Sequence, residues 1–243
     1  MKEIDATGYV ILAIVVVATI AVVVTIAWSL GTLRQPRVLV QKGQWREAAL
    51  AAEHLGASWL RVFPSVRDEA LYARAMCLHL EGKLAESLAA IRALPESGPL
   101  APAVAVLEGA NLVLSAGDAT RAVERLSLAC ESPGASAEDR LFLALAEHAA
   151  GNTSRAETIF AKVGDKRPTA APSPRIYEPA FHYLRALYLV RTNRAKGAAA
   201  DLAIASTSPI TTVYVERARA LVPPRPGEDI DPRSSLTPQV IDE

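Results

Sequence analysis

The sequence predicts an all-α protein: an N-terminal transmembrane helix followed by an α-solenoid of about five helical hairpins. Three observations carry that expectation. Residues 6 to 33 contain no charged side chain. Alanine and leucine dominate the remainder while aromatics make up only 5% of the chain, a helical composition because Ala and Leu lead the helix propensity scale. Beyond Pro36, glycine or asparagine turns recur at a nearly fixed spacing, which is the signature of stacked repeats.

The first eight residues form a short, mildly acidic N-terminal segment, and residues 9–30 form the span. Its centre, "YVILAIVVVATIAVVVTIAW", runs from Tyr9 to Trp28. Twenty helical residues cover about 30 Å, the thickness of the hydrocarbon core. The rings of Tyr9 and Trp28 stand at the two ends, where amphipathic side chains favour the interface. A cleaved signal peptide fits less well. The leading "MKEID" carries more acid than base, and the apolar run exceeds the roughly 7–15 residues of a signal core. Lys2 precedes the span with Glu3 and Asp5, whereas Arg34, Arg37, Lys42 and Arg46 follow it. By the positive-inside rule the large C-terminal part faces the cytoplasm. The triplet Asn152-Thr153-Ser154 matches a glycosylation sequon, which has no consequence there. Arginine outnumbers lysine, read as the coding bias of a GC-rich bacterial genome. The expected location is the bacterial inner membrane.

Residues 34–222 form the repeat domain. Prolines at 64, 95, 99, 102, 133, 168, 172, 174 and 209 divide it into segments of about thirty residues, because proline cannot continue a helix. Each segment is split by a turn: "GQWREA", "GKLAES", "GDATRA", "GNTSRA" and "NRAKGA", near residues 43, 82, 117, 151 and 193. Gly82 to Gly117 spans 35 residues, Gly117 to Gly151 34, Gly43 to Gly82 39 and Gly151 to Asn193 42. The last interval holds a proline-rich insertion between Gly164 and Ile176. In the first unit "RVLVQK", Arg37 to Lys42, stands in for a full first helix. "TTVYVERARALV", Thr211 to Val222, is amphipathic and is expected to cap the last hairpin. Residues 223–243 are proline-rich and charged, and are expected to be disordered.

This pattern resembles the tetratricopeptide repeat, a 34-residue helix–turn–helix. That family places a small residue seven positions before the turn, and Ala75, Ala110, Ala144 and Ala186 stand there. It places another five positions after the turn, where Ala48, Ser87, Ala122, Ala156 and Ala198 stand. Four positions further it places a bulky apolar residue, matched by Ile91, Leu126, Phe160 and Leu202 but not by Ala52. Departures are Arg140 and His182 early in the first helix, and Leu78, Val113, Glu147 and Leu189 in place of a later aromatic. An irregular helical bundle would share the composition but not the period.

The resemblance implies a concave groove, lined by the first helix of each unit, that binds an extended or helical segment of a partner protein. The positions carried over are Glu69, Tyr72, Met76 and His79; Leu107, Asn111 and Ser115; Glu138 and His148; and Tyr183, Leu187 and Arg191. Leu141 and Leu145 fall on the same face and serve the core equally well. The lysine–asparagine clamp by which chaperone-binding members hold a terminal carboxylate is matched only by Asn111 and Arg191, so that ligand is not expected. The mixed apolar and aromatic groove suits a hydrophobic or amphipathic segment.

Other function classes find less in the sequence. With 26 basic and 26 acidic residues the chain has no net charge, unlike a nucleic-acid binder. The motifs HExxH, GxSxG, GxxxxGK[ST] and GxGxxG are absent, no Cys/His spacing suggests a metal, and no cofactor or small-molecule substrate is implied. The acidic residues look like helix-surface charges, as with Glu47, Glu53 and Glu124. The histidines His54, His79, His148 and His182 look structural, and Cys77 and Cys130 look like buried reduced thiols. The chain is expected to be a non-enzymatic adaptor, contacting lipid through residues 9–30 and a protein partner through its groove. Two alternatives stand: a structural subunit of a membrane assembly whose span makes the main contacts, and an exported repeat domain assisting envelope assembly.

Overall fold

Each hairpin is built around the turn that ends its first helix. At the second turn Gly82 has φ +80°, its N–H reaches the His79 carbonyl at 3.0 Å and the Lys83 N–H reaches the Leu78 carbonyl at 2.9 Å. This left-handed C-cap satisfies carbonyls that the helix end would otherwise orphan. The same pair of bonds recurs at Gly43, Ala116, Gly151 and Asn193, all with positive φ.

The structure, a computed structural model, describes residues 15–17, 19, 35–36, 38–40, 42–131, 134–163 and 177–222. Helical backbone at residues 38–40 precedes the first turn. Then follow α1 (Trp45–Ala57), a short 3-10 turn (Trp59–Val62), α2 (Pro64–Leu80), α3 (Leu84–Arg92), α4 (Ala101–Leu114), α5 (Ala119–Cys130), α6 (Ala137–Ala149), α7 (Thr153–Val163), α8 (Tyr177–Arg191), α9 (Ala195–Ser206) and α10 (Val213–Leu221). Successive helices pair: α2 with α3, α4 with α5, α6 with α7, and α8 with α9. The first helices α2, α4, α6 and α8 also touch in series, forming the inner layer of a stack. The described residues are therefore all helical and turn, arranged as consecutive hairpins.

Small residues set how closely each hairpin closes. Ala75, Ala144 and Ala186 on the first helices are fully buried, as are Ala48, Ser87, Ala122, Ala156 and Ala198 on the second. One continuous core runs from Val40 to Ala218, with satellites around Ile91 and Leu107 and around Leu55 and Val66.

The third turn departs from the expected register. The left-handed residue is Ala116, φ +52°, and not Gly117. One extra residue separates it from α5, whose Asp118 side chain accepts the Arg121 N–H at 3.0 Å as N-cap. Aligning on Gly117 therefore positions α5 correctly but shifts α4 by one. The crossing residue of that hairpin is Gly109, whose added Cβ would lie 2.4 Å from Leu126 Cγ. A β-carbon in the left-handed region costs about 1 kcal/mol, so Ala116→Gly is expected to raise the melting temperature of the full chain. A lowered one would contradict this turn geometry.

The acidic residues are not all surface charges. Glu47, Glu53 and Glu124 are exposed, but Glu108, Glu147 and Asp201 are buried. Glu108 accepts from Arg121 Nε at 2.8 Å and from Arg125 Nε at 2.5 Å. Glu147 lies 2.9 Å from Arg155 Nε and accepts from Asn152 Nδ2 at 2.7 Å. Asp201 lies 2.7 Å from His182 Nδ1 and 3.3 Å from Arg185 Nη1. A buried carboxylate persists only when so paired; these three tie first to second helices inside hairpins three, four and five. Cys77 is buried and bonds the Trp45 carbonyl, and burial pushes its thiol up to about 12; both cysteines are free.

Most of the expected span at 9–30, the proline-rich insertion at 164–176 and the tail at 223–243 lie outside the described residues. Val15–Val17 and Thr19 are helical, and Thr19 Oγ1 donates to the Val15 carbonyl at 2.8 Å. Among the described residues no helix is long and apolar enough to cross a membrane.

Candidate partner-binding groove

The inner helices α2, α4 and α6 converge on a cavity of about 590 Å³. Tyr72, Met76 and His79 of α2, Val106, Leu107 and Ala110 of α4, and Phe142 of α6 form its walls. Ser136, Glu138 and Asp139 stand at its rim, where α6 begins. That start is fixed by a capping box: the Ser136 hydroxyl accepts the Asp139 N–H at 3.1 Å, and Asp139 accepts the Ser136 N–H at 2.8 Å. Burial pushes the Glu138 carboxyl above its usual range, against its bonds to its own N–H and to Ser136.

The remaining wall comes from α10. This helix packs on α8 and α9 as a cap should, and it also reaches back to α2. The Trp45 indole N–H donates to the Thr211 carbonyl at 3.2 Å, Val213 lies against Gly82, and Arg217 Nη1 donates to the Leu114 carbonyl at 2.7 Å. The array thus curls enough for its last helix to meet its second hairpin.

Tyr214 is the centre of that contact. Its ring lies 6.4 Å from Phe142 and 6.0 Å from Tyr183 between centroids, and its hydroxyl is 2.5 Å from His79 Nε2. His79 Nδ1 is 3.1 Å from Asn111 Oδ1. Asn111 Nδ2 in turn donates to Ser87 Oγ at 3.0 Å and to the Leu107 carbonyl at 2.7 Å, and Ser87 donates to the Ala75 carbonyl at 2.7 Å. The amide orientation assigns the tautomer: Nδ1 carries the proton and Nε2 accepts from the tyrosine. The chain of bonds joins α10, α2, α4 and α3 in the buried interior. Burial holds His79 neutral, down to about 4, with the Arg217 charge adding to the effect against the Asn111 bond.

Of the sequence-derived groove residues, Tyr72, Met76, His79, Leu107 and Glu138 meet at this cavity. Glu69 is half-buried on α2. Asn111 is fully buried in the polar chain, and Ser115 is exposed at the end of α4, its hydroxyl donating to the Asn111 carbonyl. Tyr183 is buried against Tyr214, and Leu187 is half-buried against the main core. His148 and Arg191 line a second depression of about 320 Å³ with Leu112, Val113 and Leu145. Leu141 and Leu145 are fully buried.

Most of the other cavity residues, Phe142, Val106, Ala110 and Tyr214 among them, escaped the sequence reading. Val106 and Ala110 follow from placing the third turn at Ala116, since they then match Tyr72 and Met76 in spacing. Tyr214 had no local signal beyond the amphipathic pattern of its helix. His182 and the three clamped carboxylates Glu108, Glu147 and Asp201 do not line the cavity. Among the described residues no group of three or more His, Cys, Asp or Glu side chains could hold a metal ion.

No protein-family model and no curated protein matches the chain. A solved chain described as "MamA RS-1 ArsTM double mutant" is similar, at 17% identity and a TM-score of 0.46, over 78% of this chain and 93% of that one. A likeness of that size carries no argument, and the hairpin architecture stands on its own turns and packing.

Proposed function

We propose that this protein is a membrane-anchored interaction scaffold: a single N-terminal helix holds it in the bilayer, and the hairpin array binds a segment of a partner protein in its groove. The observation that carries this reading is the cavity of about 590 Å³ shared by three successive inner helices. It lies within the ~300–1,000 Å³ typical of binding pockets, and its walls are predominantly apolar with a few polar groups at the edge. The uncharged run at residues 6–33 supports the anchor, as do the exposed helical valines Val15, Val16 and Val17. The basic residues after the run favour a cytoplasmic array. Anchoring raises the effective concentration of any partner in the same membrane, so a modest groove affinity suffices. In this reading the ionised side chains serve structure, and the protein performs no catalysis.

The test has two arms on the full chain. Protease protection of sealed inner-membrane vesicles should leave the array accessible only from the cytoplasmic side. Replacing residues 9–30 with an unrelated apolar span of equal length should leave partner recovery after mild detergent extraction intact. Loss of recovery on that exchange would move the essential contact from the groove to the span.

A further inference from the structure

The acidic side chains of the cavity lining have no basic partner within the lining, and the nearby Arg217, whose charge reaches His79, is bonded to the Leu114 carbonyl. Two carboxylate side chains, Glu138 and Asp139, stand in the lining, and none of the lining residues is lysine or arginine. The histidine there is neutral and occupied on both ring nitrogens. Asp139 is committed to capping the Ser136 N–H. Glu138 sits on the rim with a carboxyl poorly served by water, since burial is the first cause of its upward shift. Met76, Val106 and Phe142 line the same cavity. The site thus combines an apolar well with a half-buried anionic rim, and an incoming cation would relieve the desolvated carboxylate. The way α10 is seated illustrates the same chemistry on the adjoining wall: an aromatic, Tyr214, packs inward while a basic residue one turn on, Arg217, bonds the end of α4.

We propose that this cavity is the specificity pocket of the groove, taking one bulky apolar side chain of a partner helix whose lysine or arginine, about one turn away, pairs with Glu138. The inference rests on the groove reading above and adds the partner's chemistry to it. Residues three or four apart share one face of a helix, so an apolar anchor and a basic residue at that spacing meet the well and its rim together. The pair is charge-assisted and partly desolvated, and so discriminates against partners with an acidic or neutral residue at that place.

The test selects a displayed library of random amphipathic helical peptides on the full chain held in detergent micelles. Selected peptides should carry an aliphatic or aromatic residue with Lys or Arg three or four positions away. Glu138→Gln should weaken the best of them at least tenfold and remove the preference for the basic residue, in a chain that still unfolds cooperatively on heating. Val106→Trp should fill the well and abolish binding; Ala103→Leu is the second filler should the tryptophan variant not fold. Peptides that lack the basic residue, or bind Glu138→Gln equally well, overturn the charge pairing while leaving the groove reading intact if the fillers still block them. Peptides indifferent to both fillers, or no enrichment at all, overturn the groove reading and the inference together.

Discussion

Tyr214→Ala is expected to destabilise the hairpin array by about 3–5 kcal/mol, the range for truncating a buried aromatic. The loss has two parts, separable by Tyr214→Phe. The phenylalanine variant keeps the ring against Phe142 and Tyr183 but leaves His79 Nε2 without its donor. An unmet buried acceptor costs about 1–3 kcal/mol. Thermal unfolding of the full chain in detergent micelles, followed by helical circular dichroism, should therefore rank wild type above Tyr214→Phe above Tyr214→Ala. Equal melting of all three would mean that α10 does not hold the array together.

The same contact gives the protein an acid-sensitive element. The folded state holds His79 down to about 4, from an ordinary value of 6.5. Between those values the unfolded chain binds the extra proton, so stability rises with pH across that window. The contribution is fully present above about pH 6.5, is lost as pH falls toward 4, and amounts to about 3 kcal/mol. His79→Gln should flatten the stability profile between those limits. An unchanged acid limb would place the titrating group elsewhere.

Gly109→Ala is the second large effect. Alanine is the better helix former by about 1 kcal/mol, yet the added methyl would lie 2.4 Å from Leu126 Cγ and within 3.0 Å of both its Cδ atoms. Leu126 is fully buried, so its Cγ would have to shift within the core to make way. Overpacking of this kind typically costs about 1–3 kcal/mol, so a net lowering of the melting temperature is expected in place of the gain that propensity alone predicts. Combining Gly109→Ala with Leu126→Ala should cost less than the sum of the two single changes, because the smaller neighbour frees the space the methyl needs. Strict additivity would contradict the close crossing.

These two sites mark where the sequence was readable and where it was not. Four turns announce themselves because glycine or asparagine fills a left-handed position that other residues avoid. The third is obscured because Ala116 takes that position and Gly117 follows it, and a one-residue shift on a helix turns a groove residue into a core residue. Asn111 was thereby read as groove-facing, whereas the structure buries it between α4, α2 and α3. The buried carboxylates look like surface charges in sequence because their arginine partners lie on a different helix: Glu108 and Arg125 are 17 positions apart. Tyr214 and His79 are 135 positions apart, and no local periodicity encodes a contact made only when the array curls. The proposed anchor is the reverse case. It is the plainest feature of the sequence, through its composition, while most of it lies outside the described residues.

The central claim is that a partner segment lies in the groove of the inner helices. It is tested most directly by placing a photoreactive benzoylphenylalanine at Val106, on the cavity wall, or at Leu128, exposed on the outer helix α5, in the full chain in its native cells. Irradiation should crosslink a distinct partner band from position 106 and none from 128. A band from 128 with none from 106 would put the binding surface on the outer face and contradict the account.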